Sequence, residues 1–265
     1  MRSSLFAAAY WSLSVLYVLM ALPFLAWPGR GPLQAIIRSY TRAMNLALRY
    51  LAGIRKEVRG RERLPEGAFV IAAKHQSWGD GFLIYPEVDN LAFVTGDHLE
   101  KLPLVGGILR KLGAIVIDTC GGGERKAASL AEGMQRAAAE GRHVLIYPEG
   151  HLAPVDHHFR YKPGVWHMAR AMGKPVVPVA TNLGLFWARQ AHRKTPGTAV
   201  IEFLDPIPSD LPKREFLARL KDAVETRTAE LVAEARGTPV VATGLIPDPG
   251  PEPGVRGRPG VQPAR

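Results

Sequence analysis

The chain has 265 residues, 47% hydrophobic and 22% charged, which is enough apolar material for a packed core. Its single cysteine, Cys120, excludes an internal disulfide and fits a reducing compartment. A net charge of +10 calls for an anionic partner, and without zinc-finger spacing or an RNA-binding aromatic motif that partner reads as a membrane surface, not nucleic acid.

Residues 5–27 carry no charge and are long enough to cross a hydrocarbon core of about 30 Å. Tyr10, Trp11, Tyr17 and Trp27 read as interfacial anchors. A cleaved signal peptide fits less well, because Arg2 alone supplies the basic region and no A-x-A site follows. A hairpin that enters one leaflet is the other reading, permitted by Pro23 and Pro28. In residues 33–54, Ile36, Ile37, Tyr40, Met44, Leu48 and Leu51 fall near one helical face and Arg38, Arg42 and Arg49 on another. That pattern predicts a basic helix lying in the membrane interface, with a surface helix of the globular domain as the alternative. Arginines and Lys56 recur from Arg30 to Arg63, each adding about 1 kcal/mol beside an anionic cytoplasmic leaflet. Residues 1–54 are thus expected to be membrane-anchoring helices.

From residue 68 short apolar runs alternate with helix-like stretches. Strands are expected at 68–73, 91–96, 114–119, 143–148, 176–181 and 198–204, and helices near 78–86, 103–112, 123–140, 162–173 and 212–236. The alternation predicts an α/β fold with a largely parallel sheet flanked by helices, over residues 55–236. Functional groups should gather at the carboxyl ends of its strands. Residues 237–265 are rich in proline and glycine without aromatics, and are expected to be disordered.

Four groups of residues stand out at strand ends. The segment AAKHQSWGDG places His75 and Asp80 just after the first core strand. A carboxylate beside an imidazole fixes its tautomer and stabilises the imidazolium formed when the ring takes a proton, which suits a general base acting on an alcohol. By itself the pair is weak evidence, and a loop histidine near a helix-capping aspartate is the simpler reading. The segment YPEG puts Glu149 where the chain turns, and a plain turn explains it as well. Asp118 ends another strand, where capping is the simpler role. Pro178 within VPVATN points to a strand end, a bulge or an edge strand. There is no G-x-S-x-G elbow, P-loop or G-x-G-x-x-G, and His151, His157 and His158 lack the companions of a zinc site.

Taken in order, these groups resemble the four blocks of the glycerolipid acyltransferase family. Here the blocks read HQSWGD (75–80), GAIVIDT (113–119), YPEGHL (147–152) and VPV (177–179), within a resemblance covering about residues 55–210. The resemblance implies an O-acyltransferase at the inner membrane, its active site facing the cytoplasm. His75 would deprotonate the hydroxyl of a lysolipid acceptor and Asp80 would hold His75. The alkoxide would then attack the thioester of acyl-CoA or acyl carrier protein, with no acyl-enzyme, cofactor or metal. Glu149 and Gly150 would shape the acceptor site, and Lys162 would bind an anionic headgroup. Two positions depart from the family. Thr119 and the His151–Leu152 pair stand where the family carries arginines, the expected bidentate partners of an acceptor phosphate. Lysophosphatidate remains the first expectation, with His151, His157, His158, Arg160 and Lys162 as replacement positive charge. A lyso-aminolipid of the ornithine-lipid type is the second, and a non-catalytic lipid-binding protein on the same fold the third.

Overall fold

The computed structural model describes residues 1–102, 104–117, 123–189 and 191–249. Helix α1 (Arg2–Ala21) turns back through a 3-10 segment into α2 (Gly31–Ala47). Strands β1 (Ile54–Arg59) and β2 (Val70–Ala73) follow, then the short helix α3 (Asp80–Ile84), β3 (Leu91–Gly96), α4 (Asp97–Glu100), α5 (Val105–Leu112) and β4 (Ile115–Ile117). The remainder is α6 (Gly123–Ala139), β5 (His143–Ile146), β6 (His157–His158), α7 (Gly164–Met172), β7 (Val176–Thr181), β8 (Gly197–Phe203), α8 (Lys213–Arg236) and β9 (Gly244–Leu245). Seven strands form one sheet in the order β1-β8-β7-β2-β5-β3-β4. Every pairing in it is parallel except β7 with β8. The α/β fold and largely parallel sheet expected from the alternating pattern are therefore present.

The sheet is covered on both sides, which is why β2, β5 and β7 read as continuous apolar runs. Ile71 and Ala73 of β2 face one core with Val177, Val179, Met44 and Leu83. Val70 and Ala72 face the other, with Val165 of α7 and Phe216, Leu220 and Val224 of α8. This alternation carries past the strand's end, where Lys74 still donates its N–H to Val179 (2.9 Å). Lys74 thus belongs to the α8 side and His75 to the opposite side.

The structure adds one strand, decides among the readings of Pro178 and changes two expectations. Strand β1, with the sequence IRKEVR, escaped notice because it is charged; as an edge strand paired only to β8 it needs no apolar run. Pro178 lies in an interior strand, not at an edge. Pairing passes from Val176↔Ile207 to Val179↔Phe203, so the β8 side carries one residue more, and this bulge accommodates the missing N–H. The apolar stripe of α2 is turned inward: Met44 and Leu48 are buried, with Ile37, Tyr40 and Leu51 packed beside them. Arg38 pairs with Asp89 of the domain. This is the surface-helix reading, with no stripe left for lipid. The tail expected to be disordered from residue 237 is held as far as Ile246. Gly244 donates to Asp156 (2.8 Å), Ile246 donates to His158 (2.9 Å), and Arg236 forks onto the Asp156 carboxylate.

Helix α1 is long and apolar enough to cross a membrane by length and composition, with a mean hydropathy of 1.9 over its best window. It is about 30 Å long, and both ends rest on the domain. Phe6 meets Trp187 edge-on at 5.2 Å, and Ala21 is buried with Leu33, Ile108 and Leu112. Tyr10 joins Phe82 and Trp187 in an aromatic cluster, and the Tyr17 hydroxyl bonds Ser39 of α2. Leu5, Trp11, Val15, Leu16, Leu19 and Met20 are exposed along its outer face.

Candidate active site

The loop leaving β2 is held from both flanks. Ala153 donates its N–H to the His75 carbonyl (2.7 Å), Arg189 donates to Gln76 (2.7 Å), and Trp78 donates to Arg189 (3.2 Å). Gly79 has no room for a side chain, because an added Cβ would lie 2.7 Å from the Trp187 ring. The loop therefore closes tightly over the same tryptophan that receives α1.

Asp80 sits in the first turn of α3 and is buried. Its Oδ2 accepts three hydrogen bonds: from Nδ1–H of His75 (2.9 Å) and from the N–H groups of Gln76 and Ser77 (2.8 Å each). Two main-chain donors fix the carboxylate, and the carboxylate fixes the imidazole. With the proton on Nδ1, Nε2 is the atom able to accept one, and the His75 side chain keeps 21% of its surface open. The imidazole stacks on Tyr147 at 3.9 Å between centroids with 15° between planes. Carboxylate on one nitrogen and aromatic face on the ring leave the imidazole little freedom to rotate.

The Tyr147 hydroxyl is buried with no hydrogen-bond partner among the described residues. Burial pushes its pKa well up, and the nearby Asp80 charge adds to that. What Tyr147 offers His75 is its ring. Tyr147→Phe is expected to keep kcat within about twofold and to stabilise the fold by about 1 kcal/mol, since it removes an unsatisfied buried hydroxyl. Thermal unfolding with steady-state kinetics checks this; a large fall in kcat would assign the hydroxyl to the chemistry.

The other residues singled out by sequence fall into two sets. Glu149 is fully buried and does not line an open wall. Its Oε2 accepts from Lys74 Nζ (3.1 Å) and from the Phe159 N–H (2.9 Å), and its Oε1 lies 3.5 Å from the His75 N–H. Burial raises its pKa to about 7, Lys74 pulling it down and Glu225 pushing it up. Gly150 has φ of +71°, and the Lys162 ammonium lies 2.6 Å from where a Cβ would be, so Lys162 lies across this turn. His151 contacts the Phe159 ring at 5.5 Å. His158 is buried, its Nδ1 3.1 Å from the Thr243 hydroxyl, and burial lowers its pKa. Thr119 and Asp118 lie outside the described residues. Among the described residues no three of His, Cys, Asp and Glu gather as metal ligands would.

A sequence model of the family described as Acyltransferase matches residues 55–182. A 1-acyl-sn-glycerol-3-phosphate acyltransferase from Pseudomonas aeruginosa is 30% identical over 230 residues, 86% of each chain. The chain belongs to the acyltransferase family. A human 1-acyl-sn-glycerol-3-phosphate acyltransferase alpha is 27% identical over 241 residues, 88% of this chain and 83% of the other. The crystal structure of a 1-acyl-sn-glycerophosphate acyltransferase, PlsC, from Thermotoga maritima shares the fold with a TM-score of 0.71, at 21% identity over 88% of this chain and 98% of that one. The acyltransferase thus carries His75 and Asp80 in hydrogen-bond contact at the carboxyl end of a parallel strand.

Three further residues near His75 were not singled out from the sequence. Arg189 is exposed, and its backbone, at φ of +44°, is bonded to the loop after β2. Its guanidinium has no partner among the described residues. Lys74 and Glu225 are buried behind the sheet. A lysine closing the run VIAA was the one available sign, since charge at the end of a buried strand requires a buried partner.

Proposed function

We propose that this acyltransferase transfers a fatty acyl group from acyl-CoA or acyl carrier protein to the free hydroxyl of lysophosphatidate, giving phosphatidate. The His75–Asp80 contact carries the reading. Nε2 of His75 takes the hydroxyl proton as the oxygen attacks the thioester carbonyl. The tetrahedral oxyanion then collapses, expelling the thiolate, which recovers the proton from the imidazolium. Both substrates meet at one base, so no acyl-enzyme is required. Relatives named for lysophosphatidate acylation support this acceptor.

The acceptor's phosphate needs cations, and Thr119 and Leu152 supply none. Arg189, fixed to the catalytic loop, and Lys162, lying across the Gly150 turn, are exposed and without ion-pair partners among the described residues. We assign the phosphate to them. Arg189→Gln is expected to raise KM for lysophosphatidate about tenfold or more, the loss of one charge-assisted bond, with kcat near native. Thr119 and Leu152 also favour a second reading, in which the acceptor is a lyso-aminolipid. Parallel assays of lysophosphatidate and a lyso-ornithine lipid, with each donor, decide between them; turnover of the aminolipid alone would overturn the first.

The exposed apolar face of α1 supports association with a membrane. Because both ends of that helix rest on the domain, we propose that it lies along one leaflet, on the cytoplasmic side of the inner membrane, with the domain beside it.

A further inference from the structure

We propose that Lys74 and Glu225 are positioning residues for the transfer reaction, fixing His75 from behind the sheet. The inference rests on acyl transfer at His75 and adds residues that touch no substrate. Glu225 stands on α8, beyond residues 55–182, the stretch matched by the family.

Lys74 is the residue immediately before the base. Its side chain is fully buried, and its ammonium is met from three directions: by Glu149 Oε2 at 3.1 Å, by Glu225 Oε1 and Oε2 at 2.9 and 3.1 Å, and by the His157 carbonyl at 2.9 Å. Three donors find three groups of acceptors, so the ammonium has one position. Alternation along the strand sends Lys74 towards α8 and His75 to the other face. The lysine therefore works as a peg through the sheet, and the Cα of the base cannot move without withdrawing a buried charge from its partners.

The carboxylates extend the same hold. Glu149 joins Lys74 to the N–H groups of Phe159 and His75, so the turn after β5 and the loop after β2 share one anion. Glu225 Oε1 also accepts the buried Tyr161 hydroxyl at 2.7 Å, tying α8 to the segment that follows the turn. A buried ion cluster is a poor way to gain stability, because desolvating the charges costs about as much as their attraction returns. Here it supplies placement: a misplacement of about 1 Å at a reacting group can lower a rate about 100-fold.

Glu225→Gln tests the idea, since it keeps the size and one acceptor for Tyr161 while removing the charge that faces Lys74. The expected result is a fall in kcat of at least about tenfold with both KM values within about twofold. The ring ¹⁵N signals of labelled His75, read without substrate, should shift away from those of a hydrogen-bonded Nδ1–H. Glu225→Asp, which restores the carboxylate one methylene shorter, should recover most of the rate. A purely structural role would lower the unfolding temperature and the active fraction, but leave kcat per active molecule and the His75 signals at native values; that result overturns the proposal. Should Glu225→Gln not fold, Tyr161→Phe withdraws one hydrogen bond from the same carboxylate. Native kcat and native His75 signals in that variant overturn the proposal equally, and a shift in both supports it. If the unaltered protein acylates no lysolipid, the functional reading fails, and the ¹⁵N arm still decides the role of Lys74 and Glu225.

Discussion

Replacing His75 with alanine is expected to lower kcat for acyl transfer about 10³- to 10⁴-fold, with KM for both substrates within about threefold. The loss belongs in kcat because the imidazole acts on a proton that moves only as the bond forms. The fold should survive the change. Among the described residues His75 makes one side-chain hydrogen bond, and Asp80 Oδ2 keeps the N–H groups of Gln76 and Ser77 when the ring is gone. No buried anion is left bare, so the unfolding temperature should move little. Tyr147 loses the ring stacked on it, which is the largest packing change expected. Steady-state kinetics on purified protein in detergent, with thermal unfolding alongside, measures both. A kcat within tenfold of native would remove Nε2 of His75 as the base.

Much of this site could be read from sequence, for reasons visible in particular residues. The runs ending at Ala73, Ile146 and Thr181 are apolar because a central parallel strand is covered on both faces, and that periodicity survives in any one sequence. The order of His75, Asp80, Glu149 and the VPV segment was equally plain. What escaped depends on partners distant in sequence. The edge strand β1 is charged and takes its structure from β8, roughly 140 residues later. The stripe on α2 has the same spacing whether it meets lipid or protein, and only Met44 and Leu48 in the core decide which. Glu149, placed at a turn by the sequence pattern and expected to touch the acceptor, is instead enclosed with Lys74, a residue 75 positions earlier, and with Glu225 on the last long helix. No local pattern marks a contact of that separation.

Replacing Lys74 with methionine should destabilise the protein by about 3–5 kcal/mol at alkaline pH, the cost of leaving buried carboxylates without their cation. Methionine has nearly the length of lysine and fits an apolar core, so little of the effect is cavity formation. The pH dependence separates charge from packing. In the folded protein burial already raises the Glu149 carboxyl to about 7, against 4.5 for the free group, with Lys74 drawing it down. Without Lys74 it rises further. Between 4.5 and that raised value the folded form binds a proton that the unfolded chain lacks, so falling pH favours the folded form. The native protein already takes up that proton below about 7, so the defect should be complete above the variant's raised pKa and shrink as pH falls towards 7, with no further change below it. Adding Glu225→Gln to the methionine variant removes the second bare carboxylate and should restore part of the loss. Urea unfolding at pH 8 and pH 5.5 measures both effects. A defect of equal size at the two pH values, or no recovery in the double variant, would mean that Lys74 matters for its packing and that the buried charges do not depend on it.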